Sequence, residues 1–432
     1  MVLRVFNTNR RLILLRRLTT GCILMLCVYT MPSLAQDKPD SLQELKSKAV
    51  RIFIDCDYCD LDYIRSEITF VNYVRDRSEA QVHLLITTQR TGSGGKEYTI
   101  TFIGQQEYAG INDTLTFNSK KADTEETIRT GLVRNLKLGL VRYVAKTPMA
   151  DQISVSYNAA SQGAEAVDKW NYWVFSANIN SYFNGEKSTN SLSLYGSLSA
   201  NRVTPDLKVN LSINGNYNEN NFDISDTETV SSFSRSKSFR SSVVFSLTDH
   251  WSTGILADLS SSTYNNRTLY FNPAIAIEYN LFPYSESTRR QLRFGYYPNY
   301  NYFRYDEETI FDKTSEALLG ENLFITLEVK ETWGSTSTTL EGSHYFHDFN
   351  KNRLELSSEL SLRLIEGFSL RLYGNVSRIH DQLSLPKRGA STEEILLRRS
   401  QLATQYQYFG SVGLSFTFGS IYNNVVNPRF GD

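Results

Sequence analysis

Residues 352–377 read NRLELSSELSLRLIEGFSLRLYGNVS, and this stretch decides the predicted fold. Leucine stands at every second position between Leu354 and Leu364 apart from Ser358, and charged or small polar residues stand between the leucines. A period of two is typical of a strand with one apolar and one polar face. After Gly367 the alternation resumes, so the sequence predicts two neighbouring strands joined by a tight turn.

The length of the turn follows from which residues must share a face of the sheet. A two-residue loop, Glu366-Gly367, would set apolar residues against polar ones on the same face. A three-residue loop over 365–367 instead predicts the pairs Leu364 with Phe368, Leu362 with Leu370 and Leu360 with Leu372. In that register Gly367 takes the left-handed conformation that closes a three-residue loop with a bulge.

The composition excludes some functions before any motif is considered. The chain has 432 residues and a net charge of -1, so there is no electrostatic basis for binding nucleic acid. Residues 1–35 are typical of a signal peptide, with five arginines before an apolar run over 21–31 and Ser33-Leu34-Ala35 as the cleavage pattern. An uncleaved inner-membrane anchor is the alternative. Elsewhere no segment approaches the roughly 18 apolar residues of a spanning helix, so the mature chain would cross a membrane with strands.

A linker over 36–49 precedes a predicted α+β domain over 50–150. We expect a strand at Val50–Ile54, a helix over 60–69, a hairpin over 81–103 and a helix starting at Asp123, where Glu126 completes a capping box. The glycines in 92–95 followed by Lys96 resemble a phosphate loop only loosely, because a strand follows them rather than a helix. They predict a hairpin turn.

Cys56 and Cys59 are the two cysteines that remain after the leader is removed. Their spacing fits a structural disulfide in an oxidising compartment or a redox CxxC motif. A thioredoxin-like site would need a proline in a later loop, and there is none between Pro39 and Pro148. His83 is the domain's only histidine, so the residues predict no zinc site.

Residues 168–419 show the alternating pattern repeatedly and predict an antiparallel transmembrane β-barrel. Twelve strands are expected, an even number as in bacterial outer-membrane barrels, at 170–183, 189–202, 207–219, 236–248, 251–264, 267–281, 288–305, 321–333, 335–349, 352–364, 368–385 and 404–418. The long connections are predicted at Asn220–Arg235, Asp306–Gly320 and Pro386–Ala403. All three fall on one side, and the short connections fall on the other. Pro273 and Pro298 are expected at similar heights, as bulges or as the start of an extension.

Alternation also assigns the two faces of the predicted barrel. Leucine-rich sets face outward, and tyrosine, tryptophan and phenylalanine near strand ends fit interfacial girdles. Charges of both signs face the lumen and would form a network that lines or plugs it: Glu278, Arg293, Glu328, Lys330, Glu355, Glu359, Arg363 and Arg371.

Taken together, the leader, the α+β domain and the alternating strands resemble Gram-negative outer-membrane β-barrel proteins of unassigned function that carry an N-terminal periplasmic domain. The resemblance implies a location in the outer membrane. It also implies contact with outer-membrane lipid and lipopolysaccharide, with the barrel assembly machinery and with an unidentified periplasmic partner. The strand ending at Phe418 resembles the family's assembly signal, but a periplasmic tail over 420–432 follows it.

The residues predict a protein without catalytic residues, metal or cofactor, acting as a narrow channel or as a structural or assembly factor with a docking or gating domain. Two alternatives stay open. One is a lipid hydrolase acting through His344 or His347, although these lie on opposite faces of one strand. The other is a barrel-anchored thiol protein acting through Cys56 and Cys59.

Overall fold

A computed structural model describes residues 41–92, 94–156, 168–225, 228–389, 402–422, 424 and 429. The predicted leader lies outside these residues. Helix α1, Ser41–Ser47, belongs to a unit of its own that ends at Lys48, and Lys48 forms an ion pair with Glu44 one turn earlier. Residues 49–432 form the second compact unit, which holds two separate β-sheets.

The first sheet has five strands and forms the small domain. These are β1 Arg51–Asp55, β2 Asn72–Tyr73, β3 Val82–Arg90, β4 Lys96–Gly104 and β5 Asn112–Asn118, in the order β2-β1-β3-β4-β5. Strand β1 is parallel to β2 and β3, and the other pairs are antiparallel. The expected hairpin is confirmed, because Leu84 pairs with Phe102 and Ile86 with Ile100.

Two helices complete this domain, α2 Leu61–Glu67 and α3 Glu125–Val144. Leu136, Leu140 and Tyr143 of α3 are fully buried against the sheet. Burying each leucine contributes about 2 kcal/mol. The predicted capping box is wrong by one residue: Thr124 is the N-cap and accepts from the Thr127 amide, whereas Asp123 accepts from the Lys120 amide before the helix.

The second sheet has twelve antiparallel strands in sequence order, so the predicted strand count is confirmed. The strands are β6 Trp173–Glu186, β7 Thr189–Val203, β8 Leu207–Ser225, β9 Glu228–Ser246, β10 Trp251–Ser262, β11 Arg267–Asn280, β12 Arg290–Tyr305, β13 Ser315–Glu331, β14 Gly334–Tyr345, β15 Asp348–Ile365, β16 Phe368–Ile379 and β17 Tyr406–Phe416. We call the end with the β7–β8 and β15–β16 connections the turn end, and the opposite end the loop end.

The hairpin of β15 and β16 has the predicted register except beside its turn. Leu362 pairs with Leu370 and Leu360 with Leu372, and Gly367 has a φ of 70°. The expected pair of Leu364 with Phe368 is wrong, because a bulge between Arg363 and Ile365 makes Ile365 the partner of Phe368. The bulge absorbs one residue and keeps the leucines on one face.

The prediction of a long third connection over Asn220–Arg235 is wrong. Strands β8 and β9 continue through it and still pair at Asp223 and Thr229, so they project beyond the loop end of β10. The seventh connection is shorter than expected, because β13 already begins at Ser315. The eleventh lies over 380–405, of which residues 390–401 fall outside the described part of the chain.

Pro273 and Pro298 lie inside β11 and β12, at adjacent positions as predicted. The expected bulges are absent at both. Ala274 pairs with Asn299 and Phe271 with Tyr302 in one unbroken register, and the irregularity in this pair of strands lies between Arg267 and Leu269. The two prolines lack a backbone N–H, but the register of β11 against β12 does not change at either of them.

Register shows which residues share a face of the sheet. One row of paired residues runs through Trp251, Tyr279, Phe294, Ile325, Leu340, Leu356, Val376 and Tyr408 and defines the apolar face. The next row carries Glu278, Glu341 and Glu355 and belongs to the polar face. The alternation of apolar and polar residues in the sequence therefore corresponds to the two faces of the sheet.

The sheet differs from the expected closed barrel in one respect. Among the described residues β6 pairs only with β7 and β17 only with β16, so both outer strands keep a free edge. Ile179 and Val412 are 88% and 72% exposed there. We call these two free edges the seam.

Candidate functional site

The small domain is attached to the turn end of the large sheet through a charged contact. Asp55, the last residue of β1, accepts two hydrogen bonds from the Arg363 guanidinium, at 2.5 and 2.6 Å. Arg363 lies on the polar face beside the β15–β16 turn, and its guanidinium also lies 5.6 Å from the centre of the Phe53 ring. Two parallel bonds from one guanidinium fix orientation as well as distance.

Asp55 is further held from within its own domain. The Nε2 atom of His83, a fully buried residue, lies 3.3 Å from the Asp55 carboxylate. Burial raises the pKa of Asp55, but hydrogen bonds from His83 and Arg363 outweigh it and leave this pKa below its usual value. Asp55 therefore stays ionised in the folded protein, and the contact with Arg363 is between full charges.

A second set of contacts lies at the β15–β16 turn itself. The Gly367 amide donates to the Asp76 carboxylate at 2.8 Å, and Arg75 lies 4.0 Å from Glu366. Arg77 donates to the Arg363 carbonyl at 3.4 Å. Burial raises the pKa of Asp76, but the hydrogen bonds from Gly367 and Ser78 outweigh burial and leave this pKa below its usual value. The segment after β2 therefore contacts the β15–β16 turn mainly through backbone groups of that turn.

The residues after β17 return to the small domain and pair with its edge strand. The Arg75 amide donates to the Ile421 carbonyl at 2.9 Å, and Val74 forms an antiparallel bridge with Tyr422. The Asn424 side chain accepts from the Tyr73 amide at 2.6 Å. The predicted tail is thus bound to the edge of the five-stranded sheet, which would otherwise expose unpaired backbone groups.

The small domain also reaches the far side of the turn end. The Gly92 backbone, at the tip of the β3–β4 hairpin, packs on Val203 at the β7–β8 turn. A Cβ atom at Gly92 would lie 2.6 Å from the Val203 Cβ. Seven strands separate Val203 from the Arg363 contact in sheet order. One domain therefore bridges the turn end from β7 to β15.

Cys56 and Cys59 are joined in a disulfide in the loop between β1 and α2. This loop borders a cavity of about 110 Å³ between the two sheets. Lys330, Arg363 and Arg371, three of the predicted lumen charges, line the cavity from the large sheet. The disulfide loop is thus one wall of the interface rather than an isolated surface site.

The other predicted lumen charges lie farther along the polar face. Arg293 is 3.6 Å from Glu278 and 3.4 Å from Glu328. Glu355 lies 3.9 Å from Arg353, which the sequence analysis did not select. Glu359 stands opposite Tyr373 and has no ion pair among the described residues. The predicted network is therefore divided into a cluster around Arg293, a cluster around Arg353 and the interface residues, and Glu359 belongs to none of the three.

Two connections at the loop end pack over part of the polar face. Residues 306–314 and 380–389, which we call the loop-end cover, are joined by the Ile310 amide donating to the Leu385 carbonyl at 2.9 Å. Leu383 is buried against Phe303 and Tyr305 of the polar face. Beneath the cover lies a cavity of about 260 Å³ whose lining includes Asn272, Asn299, Asn301 and Asn322.

His344 lies in β14, whereas His347 lies in the turn between β14 and β15, so the expectation that both belong to one strand is wrong. His344 Nε2 lies 2.8 Å from Glu321, and the Tyr296 hydroxyl donates to the same carboxylate at 2.6 Å. These three residues share the apolar face, whereas Ser343 is on the polar face. Within the described ranges no cluster of histidine, cysteine, aspartate or glutamate has the arrangement of a metal site.

The residues that hold the domain in place were not predicted from the sequence, namely Asp55, Asp76, His83 and Asn424. Asp55 is one of several acidic residues near the cysteines, and its charge alone does not distinguish it from Asp57, Asp60 and Asp62. Its position at the end of a strand, directly before the disulfide loop, was the available signal.

The scan of protein-family models gives no match, and the search of curated proteins gives none either. Among solved structures, the chain is similar to the NanC porin in a rhombohedral crystal form. That similarity has a TM-score of 0.28 and 9% sequence identity, and it covers 56% of this chain and 99% of the porin. Among the described helices, none combines the length and the apolar character needed to span a membrane.

Proposed function

We propose that the protein is an outer-membrane β-barrel forming a narrow channel, whose small domain lies in the periplasm and holds the channel shut. The observation that carries the proposal is the bridge across the turn end, from Gly92 on Val203 to Asp55 on Arg363. A domain fixed at both sides of one opening obstructs it. The twelve-stranded antiparallel sheet, with one apolar and one charged face, supports the barrel.

The stagger of the sheet supports closure of the seam. The stagger can be followed along one row of paired residues across the sheet. The row starts at Trp173, at the turn end of β6, and passes through Arg202, Val209, Val243 and Ile255. Later it passes through Glu321, His344 and Asn352. The row then leaves the sheet at His380, beyond the loop end of β16. A row that climbs from one end to the other is the stagger of a tilted barrel.

This stagger also predicts how β6 and β17 pair. If the turn ends of β6 and β17 lie side by side, the row of paired residues returns to β6 displaced by about fourteen residues along the strand. For twelve strands, this displacement corresponds to a strand tilt of about 39° from the barrel axis. Barrels in membranes have tilts of about 35–45°. The register with matching faces pairs Phe175 with Phe416 and Ile179 with Val412 on the apolar side. Asn180 then pairs with Ser411 on the polar side.

The test is single-channel recording in planar bilayers with full-length protein that shows a heat-modifiable band on gels. We expect rare, brief openings in the wild type and more frequent openings in Asp55→Asn. Asp113→Asn is the matched control, because Asp113 pairs with the exposed Arg142 within the small domain. Folded, inserted protein without current in either variant would refute the channel, and equal opening in wild type and Asp55→Asn would refute the gate.

A further inference from the structure

A groove crosses the apolar face over strands β6 to β9. Its volume is about 660 Å³, and Ile179, Leu194 and Leu198 line it. Gly196 and Gly215 pair with each other in the middle of the groove. A Cβ atom added to either glycine would meet nothing within 4 Å. Two neighbouring strands thus both lack a side chain at one level, which leaves a depression in the apolar face.

Two basic residues stand at one end of this groove. Lys237 pairs with Gly215, and Arg235 pairs with Tyr217, so both side chains belong to the apolar face. Both are exposed, and neither has an ion pair among the described residues. Glu219, the neighbouring acid on that face, is hydrogen-bonded to the Tyr217 hydroxyl at 2.7 Å. A cation on a face that meets lipid is costly near the bilayer centre and nearly free at its surface.

The height of the two cations can be worked out along β9. The Leu247 amide donates to the Trp251 carbonyl, which places Leu247 level with the aromatic residues of the turn end. Lys237 is ten residues away along the strand, a distance of about 33 Å. With a tilt of about 40° this is about 25 Å across the membrane, the height of the apolar band in such barrels. Arg235 and Lys237 therefore lie at the loop-end interface.

We propose that this groove binds an acyl chain of lipopolysaccharide, with Arg235 and Lys237 on the phosphates of its lipid A. The proposal rests on the outer-membrane location proposed above. Phosphate is the anion that a guanidinium fork and an ammonium group bind well. The loop end faces the outer leaflet in that location, which favours lipid A over the phospholipids of the inner leaflet.

The experiment measures binding of fluorescent lipopolysaccharide to full-length folded protein in zwitterionic detergent. Each of Arg235→Gln and Lys237→Gln should weaken binding about fivefold, and the double variant about thirtyfold. Gly215→Leu should weaken binding as well, because the new side chain fills the groove without changing charge. Arg304→Gln is the matched control, since Arg304 is exposed on the same face near the loop end but lies away from the groove.

Unchanged binding in the double variant, or equal weakening in Arg304→Gln, would overturn the site. Equal affinity for phosphatidylglycerol would overturn the assignment to lipid A. Failure of the barrel fold on which the proposed location rests would be seen separately and earlier, as protein without a heat-modifiable folded band in any detergent or vesicle.

Discussion

Replacing Asp55 by Asn should release the small domain from the turn end while leaving both sheets folded. The variant keeps the shape of the side chain but removes the charge that accepts two bonds from Arg363. Asp55 and Arg363 are only 14% and 30% exposed, so water replaces the lost contact poorly. A hydrogen bond to a charged group contributes about 1.5–3 kcal/mol, and we expect a loss of about 2–3 kcal/mol for the pair.

The assay is amide hydrogen exchange at Gly367, whose N–H donates to Asp76 only when the domain is docked. A loss of about 2–3 kcal/mol corresponds to exchange faster by roughly 30- to 150-fold if exchange requires undocking. The variants Asp55→Asn, Arg363→Gln and their combination form a double-mutant cycle. The double variant should exchange about as fast as the faster single variant.

Two results would refute this reasoning. Unchanged exchange at Gly367 in Asp55→Asn would mean that the backbone contacts and the tail hold the domain without the ion pair. Additive effects in the double variant would mean that the two residues stabilise the protein independently. Exchange in α3 serves as the internal control, because that helix is buried within the small domain and should not respond.

Three further predictions concern the seam, pH and the loop-end cover. Asn180→Cys with Ser411→Cys should form an intramolecular disulfide in folded protein, whereas Asn180→Cys with Val412→Cys, on opposite faces, should not; cross-linked dimers alone would contradict closure of the seam. Because the folded pKa of Asp55 lies below its ordinary value, its contribution is present above about pH 4 and is lost as pH falls through the folded value. Channel opening should therefore increase in acid for the wild type but not for Asp55→Asn, and a parallel increase in both would argue against this carboxylate. Leu383→Ala should destabilise the loop-end cover by about 2–4 kcal/mol and increase current, and unchanged current would show that the cover does not limit flow.

Much of the large sheet could be predicted because its alternation is continuous. Leu360, Leu362, Leu370 and Leu372 fix one register of β15 against β16, and the observed pairs are the predicted ones. The extension of β8 and β9 could not be predicted in the same way. Residues 220–235 are rich in serine, asparagine and acidic residues, which are typical of loops, and these outnumber the few apolar residues that would indicate a strand.

The docking of the small domain could not be predicted for a different reason. Asp55 and Arg363 are 308 positions apart, and each has many possible partners of opposite charge. Arg363 was expected to pair with other residues of the large sheet. Which charges pair depends on which turn the small domain contacts. No local pattern in the sequence indicates that contact.

The docking of the tail has a consequence for the order in which the protein matures. The strand β2 is made early during synthesis, yet Ile421 and Tyr422, which complete its edge, are made after the twelfth strand of the large sheet. Until then the first domain carries an unfinished edge that invites wrong pairing. The small domain is therefore translated first but completed last. Its edge is paired only after all twelve strands of the large sheet have been synthesised.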